Sequence, residues 1–262
     1  MDKVVAIDLD GTLLNDKGEI TEYTKEVLLR LKEKGIKIIL ASGRPYQSML
    51  NFAQELNLDM PLISNNGALV KRPDGKILAQ EFISDKLALE VLAYANQEGL
   101  HLSFYFPESI CVEKITKKVD VHIKEEGVVP KAVGDLRETL EQNLINILFN
   151  IKQVEMDKVV TDLKEEFASS LSIAQTADNY IDIMACGVSK GSALEKLLPK
   201  YQLDTAKLIS FGNNYNDLSM LELADCGVAM ANAPKAIKDK ADKVAKDNDQ
   251  DGVAIMLEKI FL

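Results

Sequence analysis

Histidine and cysteine are scarce in this 262-residue sequence, and basic charge is in the minority. Each shortage closes off a class of function. The three cysteines, Cys111, Cys186 and Cys226, are odd in number and far apart. That spacing supplies neither a disulfide framework nor a CxxC metal pair, and they read as reduced, packed thiols. The two histidines, His101 and His122, have no partner at zinc-ligand spacing and read as structural. Lys plus Arg number 31 against 41 Asp plus Glu, a net charge of −10. This excludes a general nucleic-acid or anionic-membrane surface, while leaving room for a local basic pocket. No segment has the apolar length needed to cross a bilayer. The chain opens directly into a strand-like run, without the basic start and apolar stretch of a signal peptide. A cytoplasmic location is the expectation.

What is present is an ordinary globular composition, 47% hydrophobic and 27% charged, long enough for one large domain or two modest ones. The first 82 residues alternate two periods. "KVVAID" is a short β-branched run suited to a buried parallel strand. "TEYTKEVLLRLKEKG" is amphipathic, with Thr21 as its N-cap and Gly35 as its stop. "IKIILA" is a second strand, Pro45 suits the first turn of the next helix, and "PLISNNG" reads as a third strand ending in a turn. This β-α-β-α-β order predicts a doubly wound sheet with sites at the strands' carboxyl ends.

Near residue 80 the pattern changes to helices mixed with hairpin-like strands. "LHLSFYF" pairs with "SICV", Lys114–Glu126 is a charged helical stretch, and Gly127–Leu140 is less regular. "LINILFNI" is a strand, "VEMDKVVTDLKEEF" a helix, and "LSIAQ" pairs with "YIDIMA". From "SKGSALEKLLPKY" the βα rhythm resumes to the end. The expected organisation is a discontinuous α/β core, residues 1–82 and 186–262, with an inserted α+β domain, 83–185. The aromatics Phe104, Tyr105 and Phe106 alternate across a strand, so one face suits a core and the other a pocket wall.

Four stretches carry chemistry, each just after a predicted strand. In "VVAIDLDGTLLN", Asp8 and Asp10 are spaced to point to one side of a strand end. Two like charges there raise a pKa or demand a cation, and Mg²⁺ suits carboxylate and carbonyl oxygens. The competing reading is a solvated turn with Asp10-Gly11 as its corner. In "ASGRP", the Ser42 hydroxyl, the Gly43 amide and a helix N-terminus make an anion cradle, or simply a cap. In "SKGSAL", Ser189 resembles an N-cap and Lys190 sits at a helix start. A cation there opposes the helix dipole, which a bound anion would explain. "FGNNYNDLSML" presents Asn213, Asn216 and Asp217 in a tight turn, which on its own is a helix-capping loop.

Together these motifs resemble the haloacid dehalogenase superfamily, in particular its Cof-like phosphatases with a large cap between the second and third motifs. "DLDGTLL", "ASGR", Lys190 and "GNNYND" stand at the four motif positions, with "ISNNGA", "GVAMANA" and "DGVA" in support. The resemblance implies a Rossmann-like core with a cap, and a Mg²⁺-dependent phosphatase of small phosphorylated metabolites, acting through an aspartyl-phosphate. By position, it implies Asp8 as nucleophile and Asp10 as acid and base. It further implies metal binding by Asp8, the Asp10 carbonyl, Asn213 and Asp217, and phosphate binding by Leu9, Ser42, Gly43, Lys190 and Asn216. Arg44 stands at the substrate edge, or bridges the core to the flap. The family's usual Asp is replaced by Asn213, which removes one negative charge from the metal's ligands. A phosphomutase, or a low-activity metabolite-binding relative, is the alternative. A monomer or weak homodimer is expected, with no nucleic-acid or membrane partner.

Overall fold

The computed structural model describes residues 3–116 and 127–262; most of the expected charged helix, with His122, lies outside them. In chain order the elements begin with β1 (Val4–Ile7), α1 (Glu22–Glu33), β2 (Lys37–Leu40) and α2 (Tyr46–Glu55). Next come β3 (Leu62–Ser64), β4 (Leu69–Lys71), β5 (Ile77–Gln80), α3 (Asp85–Gln97), β6 (His101–Phe106) and β7 (Ser109–Val112). Then follow β8 (Lys131–Ala132), β9 (Asn146–Asn150), α4 (Met156–Phe167), β10 (Leu171–Ala177) and β11 (Tyr180–Ala185). The chain closes with α5 (Lys190–Leu197), β12 (Leu208–Gly212), α6 (Leu218–Leu223), β13 (Cys226–Ala229), α7 (Lys235–Lys238), β14 (Lys243–Val244) and α8 (Gly252–Phe261). Among the described residues, no helix is long and apolar enough to cross a membrane.

The core sheet is parallel, in the order β14-β13-β12-β1-β2, with β1 central. Every residue of β1 is buried, as expected for a strand covered on both faces. The pleat divides its side chains between two layers. Val5 and Ile7 pack with Val27, Leu28 and Leu31 of α1, Met49 of α2 and Leu257 of α8. Val4 and Ala6 face Leu194 and Leu197 of α5 and Met220 of α6. Thr21 caps α1 through its hydroxyl, and Gly35 leaves it at φ 81°.

Two sequence expectations shift here. Pro45 is the N-cap of α2 rather than part of its first turn. The predicted third core strand, β3, touches the parallel sheet only through the Ala41–Ile63 bridge; it pairs instead with β4 and β5 as an antiparallel flap.

The second large sheet runs β10-β11-β9-β6-β7-β8, and its strands all fall between His101 and Ala185. It is antiparallel apart from the β7–β8 pair. One face packs Phe104, Ile147, Phe149, Ile181 and Ile183 against α3 and α4. The other carries Tyr105, Leu148 and Asp182, which line a cavity shared with the core. Polar contacts help seat this sheet on the core, beside the packing of Tyr105, Leu148 and Met184 in the core cluster. Asn214 Nδ2 donates to the Thr176 carbonyl at 2.9 Å, Gln47 Nε2 donates to the Pro107 carbonyl at 3.2 Å, and Lys71 pairs with Glu108.

Cys111 is buried, but Cys186 is exposed rather than packed, because it falls in the turn after β11.

Candidate active site

The site forms where β1 stops. The Asp8 amide still donates to the Phe211 carbonyl, at 3.1 Å, and the chain then leaves the sheet through a turn. Leu13 and Leu14 close that turn on the Asp8 and Leu9 carbonyls. Gly11 sits in it at φ +69°, where a Cβ would collide with the Asn213 side-chain amide. Only glycine fits both the backbone and the space. The pleat therefore ends at Ile7, and the turn, not strand alternation, brings Asp8 and Asp10 to one cavity. Their environments differ: Asp8 is buried, whereas the Asp10 side chain is 55% exposed.

Lys190 is the first residue of α5, whose N-terminus is closed by a reciprocal Ser189–Ser192 capping box. Its cost at that end of a helix is met by protein carboxylates. The ammonium lies 2.6 Å from Asp8 Oδ1 and 2.6 Å from Asp217 Oδ1, with all three residues buried. The other Asp217 oxygen accepts the Asn213 and Asn214 amides, both at 2.9 Å. Burial pushes the Asp8 carboxyl up to about 7, the Asp217 charge adds to the push, and Lys190 opposes it. Burial also works against the Lys190 charge, but Asp217 and Asp8 outweigh it and hold the ammonium well above the ordinary lysine value. Two acids share one buried cation, so the cluster keeps surplus negative charge.

Ser42 and Gly43 follow β2. Ser42 Oγ accepts the Arg44 amide at 3.2 Å. The Arg44 guanidinium forks onto Asp10, Nε to Oδ2 at 2.8 Å and Nη2 to Oδ1 at 2.7 Å, and Nη1 reaches Ser48 Oγ at 3.0 Å. Arg44 thus engages Asp10 through its side chain, while its carbonyl accepts the Asn65 amide at 3.0 Å.

Asp8, Asp10, Ser42, Gly43, Arg44, Asn213 and Asn216 all line one cavity of about 840 Å³ beneath the second sheet. Lys190 and Asp217 sit behind Asp8, off the wall, and the Leu9 side chain packs into the core. His101 and Cys226 lie apart from it.

Several neighbours escaped the sequence reading. Thr12 Oγ1 donates to Asn213 Oδ1 at 3.2 Å, and Asn232 Nδ2 to the Gly11 carbonyl at 2.8 Å. Asn66, a buried residue at φ +54°, accepts Asn216 Nδ2 at 2.9 Å. Its signal was the Asn-Asn-Gly run, since asparagine tolerates the left-handed region better than most residues. Asp182 was hidden inside "YIDIMA", where an acid interrupts an apolar strand.

The donor chemistry fits a hard divalent cation. Asp8, Asp10 and Asn213 offer oxygen ligands to the cavity, the donor type such an ion prefers. Among the described residues no three His, Cys, Asp or Glu side chains converge as a metal cluster. A cation here would thus draw on amide and main-chain oxygens as well.

A buried carboxylate held by a lysine thus stands beside Ser42 and Gly43 at the carboxyl end of a parallel sheet. Comparison with known proteins places the chain in a family. The family model for haloacid dehalogenase-like hydrolases matches residues 5–257. The chain is 31% identical over 268 residues to the 5-amino-6-(5-phospho-D-ribitylamino)uracil phosphatase YitU of Bacillus subtilis, covering 98% of this chain and 97% of that protein. It is 30% identical over 261 residues to the pyridoxal phosphate phosphatase YbhA of Escherichia coli, covering 96% of each. A haloacid dehalogenase-like hydrolase from Bacteroides thetaiotaomicron superposes with a TM-score of 0.88 over the whole of both chains, at 27% identity. The subclass IIB sugar phosphatase BT4131 gives 0.86, covering 98% of each chain at 25% identity. The chain therefore belongs to the haloacid dehalogenase-like hydrolase family. Its activity is that of a phosphoric monoester hydrolase.

Proposed function

We propose that this enzyme is a Mg²⁺-dependent phosphatase of small phosphorylated metabolites, acting through a phosphorylated Asp8. The observation that carries the proposal is the Asp8 carboxylate itself. It is buried and anchored through one oxygen on Lys190, and it lines a cavity of about 840 Å³.

In the first step an Asp8 oxygen attacks phosphorus; the new O–P bond forms as the ester P–O bond breaks, and Asp10 gives its proton to the departing alkoxide. In the second, Asp10 takes a proton from water as that water attacks phosphorus. Inorganic phosphate leaves and the Asp8 carboxylate is restored. Both Asp10 oxygens are engaged by Arg44 in this conformation, so Asp10 can hand over a proton only after that fork opens. Ser42 Oγ, the Gly43 and Leu9 amides, Asn216 and the Lys190 charge would stabilise the transferring phosphoryl group.

Asp8, the Asp10 carbonyl and Asn213 would hold Mg²⁺, and Asp217, whose oxygens are taken by Lys190 and by the Asn213 and Asn214 amides, would support that set from behind. The ion would supply charge neutralisation at the phosphoryl oxygens. An amide oxygen at 213 remains a competent ligand, at lower affinity than a carboxylate.

Residues 83–185 would act as a cap that covers the cavity and excludes macromolecular esters. Sugar and cofactor phosphates are the expected substrates, as the names of the relatives suggest. The test is phosphate release from a panel of phosphorylated metabolites by wild type and Asp8→Asn, with and without Mg²⁺. Release by wild type with Mg²⁺ alone supports the reading. Equal release by both proteins overturns it.

A further inference from the structure

The sheet over the cavity holds an acid that the proposed chemistry does not use. Asp182 is 3% exposed, on the face of β11 that looks toward the core. Cross-strand register fixes that orientation. Asp182 stands opposite Leu148, which stands opposite Ser103, while Asn146 stands opposite Tyr105. Tyr105, Leu148 and Asp182 therefore share the cavity wall, and Ile181 and Ile183 point away into the helix-covered core. Asn146, diagonal to Asp182 on the same face, donates its Nδ2 to Asp182 Oδ1.

An apolar residue would serve packing better at such a position, because a buried carboxylate is costly without partners. Among the described residues, no lysine or arginine lies within ion-pair distance of Asp182. Burial pushes its carboxyl above the ordinary value, with hydrogen bonds from Asn146, Thr176 and Asn66 and the more distant Lys190 charge pulling the other way. A carboxylate offers about four lone-pair directions; Asn146 takes one of them and Thr176 and Asn66 lend further support, which still leaves acceptor capacity on this wall. Two nearby acceptors, Asn146 Oδ1 and, across the cavity on the core side, Asn216 Oδ1, are buried without a hydrogen-bond partner, and so is one donor, Asn66 Nδ2. These atoms suit a ligand whose groups both donate and accept, as hydroxyls do.

We infer that Asp182, supported by Asn146, is the residue of the cap that recognises the leaving group, by accepting hydrogen bonds from its hydroxyls. The inference rests on the phosphatase reading above and assigns the other half of the substrate. The phosphoryl group lies against Asp8, and a polyhydroxylated carbon skeleton lies against β11. A leaving group that carried its own carboxylate would meet like charge at Asp182 and be disfavoured.

The experiment compares kcat/KM for sorbitol 6-phosphate, hexyl phosphate and p-nitrophenyl phosphate in wild type and Asp182→Asn. The substitution keeps shape and neutralises the acceptor. The expected result is that wild type prefers sorbitol 6-phosphate over hexyl phosphate. Asp182→Asn should lower kcat/KM for sorbitol 6-phosphate by roughly tenfold or more, as for a lost hydrogen bond to a charged group. Hexyl phosphate and p-nitrophenyl phosphate should stay within about twofold. A similar loss on all three substrates would show a structural role and overturn the inference, as would no loss on any. A wild-type enzyme that prefers hexyl phosphate would overturn it while leaving the phosphatase reading intact. If wild type hydrolyses none of the three with Mg²⁺ present, the phosphatase reading fails and the inference with it.

Discussion

Lys190 Nζ and Asp8 Oδ1 meet at 2.6 Å across 182 residues of sequence, inside a core where neither side chain is more than 6% exposed. Asp217 closes the same ammonium from its other side. This arrangement makes a clear prediction about stability. Lys190→Ala leaves two buried carboxylates without a counter-charge and should cost about 3–5 kcal/mol. Asp8→Asn instead leaves one acid for one lysine. In metal-free protein it should raise the melting temperature by a few degrees while abolishing turnover. Thermal melts of both variants without Mg²⁺ check the opposite signs.

Asp10 is predicted to matter unequally to the two steps. With p-nitrophenyl phosphate, whose leaving group needs no proton, Asp10→Asn should still phosphorylate Asp8 but hydrolyse the intermediate slowly. With an alkyl phosphate it should fail at the first step, losing about 10²–10⁴-fold in rate. A burst of nitrophenolate followed by a slow steady state, absent with wild type, is the expected signature.

The side-chain oxygen of Asn213, the ligand proposed above, accepts a hydrogen bond from Thr12. Asn213→Asp restores the missing charge and should lower the Mg²⁺ concentration needed for half-maximal activity severalfold. An unchanged or higher requirement in a Mg²⁺ titration would remove Asn213 from the ligand set.

Asp182 makes stability depend on pH. Its carboxyl is raised in the folded protein above the reference value of 3.8. Such a group stabilises the fold at pH below its unfolded value, and that contribution is lost as pH rises through the folded value. Asp182→Asn lacks this dependence. The melting temperature of the variant minus that of wild type should therefore become more positive from pH 4 toward pH 8.

Much of this site was legible in the sequence because chemistry and local pattern coincide there. Asp8 ends a wholly apolar run, Ser189 caps a helix, and Lys190 occupies a place a solvated lysine gains nothing from. The flap was less legible. Strands β4 and β5 are only three and four residues long, and the Pro73-Asp74-Gly75 turn between them went unread. The Arg44–Asp10 fork and the Asn66–Asn216 contact join residues 34 and 150 positions apart, which no local period encodes. Asp182 left a trace, an acid flanked by Ile181 and Ile183, but alternation alone does not say whether such an acid faces water or a ligand.

The most direct test follows the phosphoryl group itself. Asp10→Asn, mixed with p-nitrophenyl phosphate and Mg²⁺ and quenched in acid, is predicted to be heavier by one phosphoryl group in intact-mass spectra. Peptide mapping should place the addition on Asp8. An unmodified chain during continuing turnover, or a phosphoryl group on any other residue, would contradict the account.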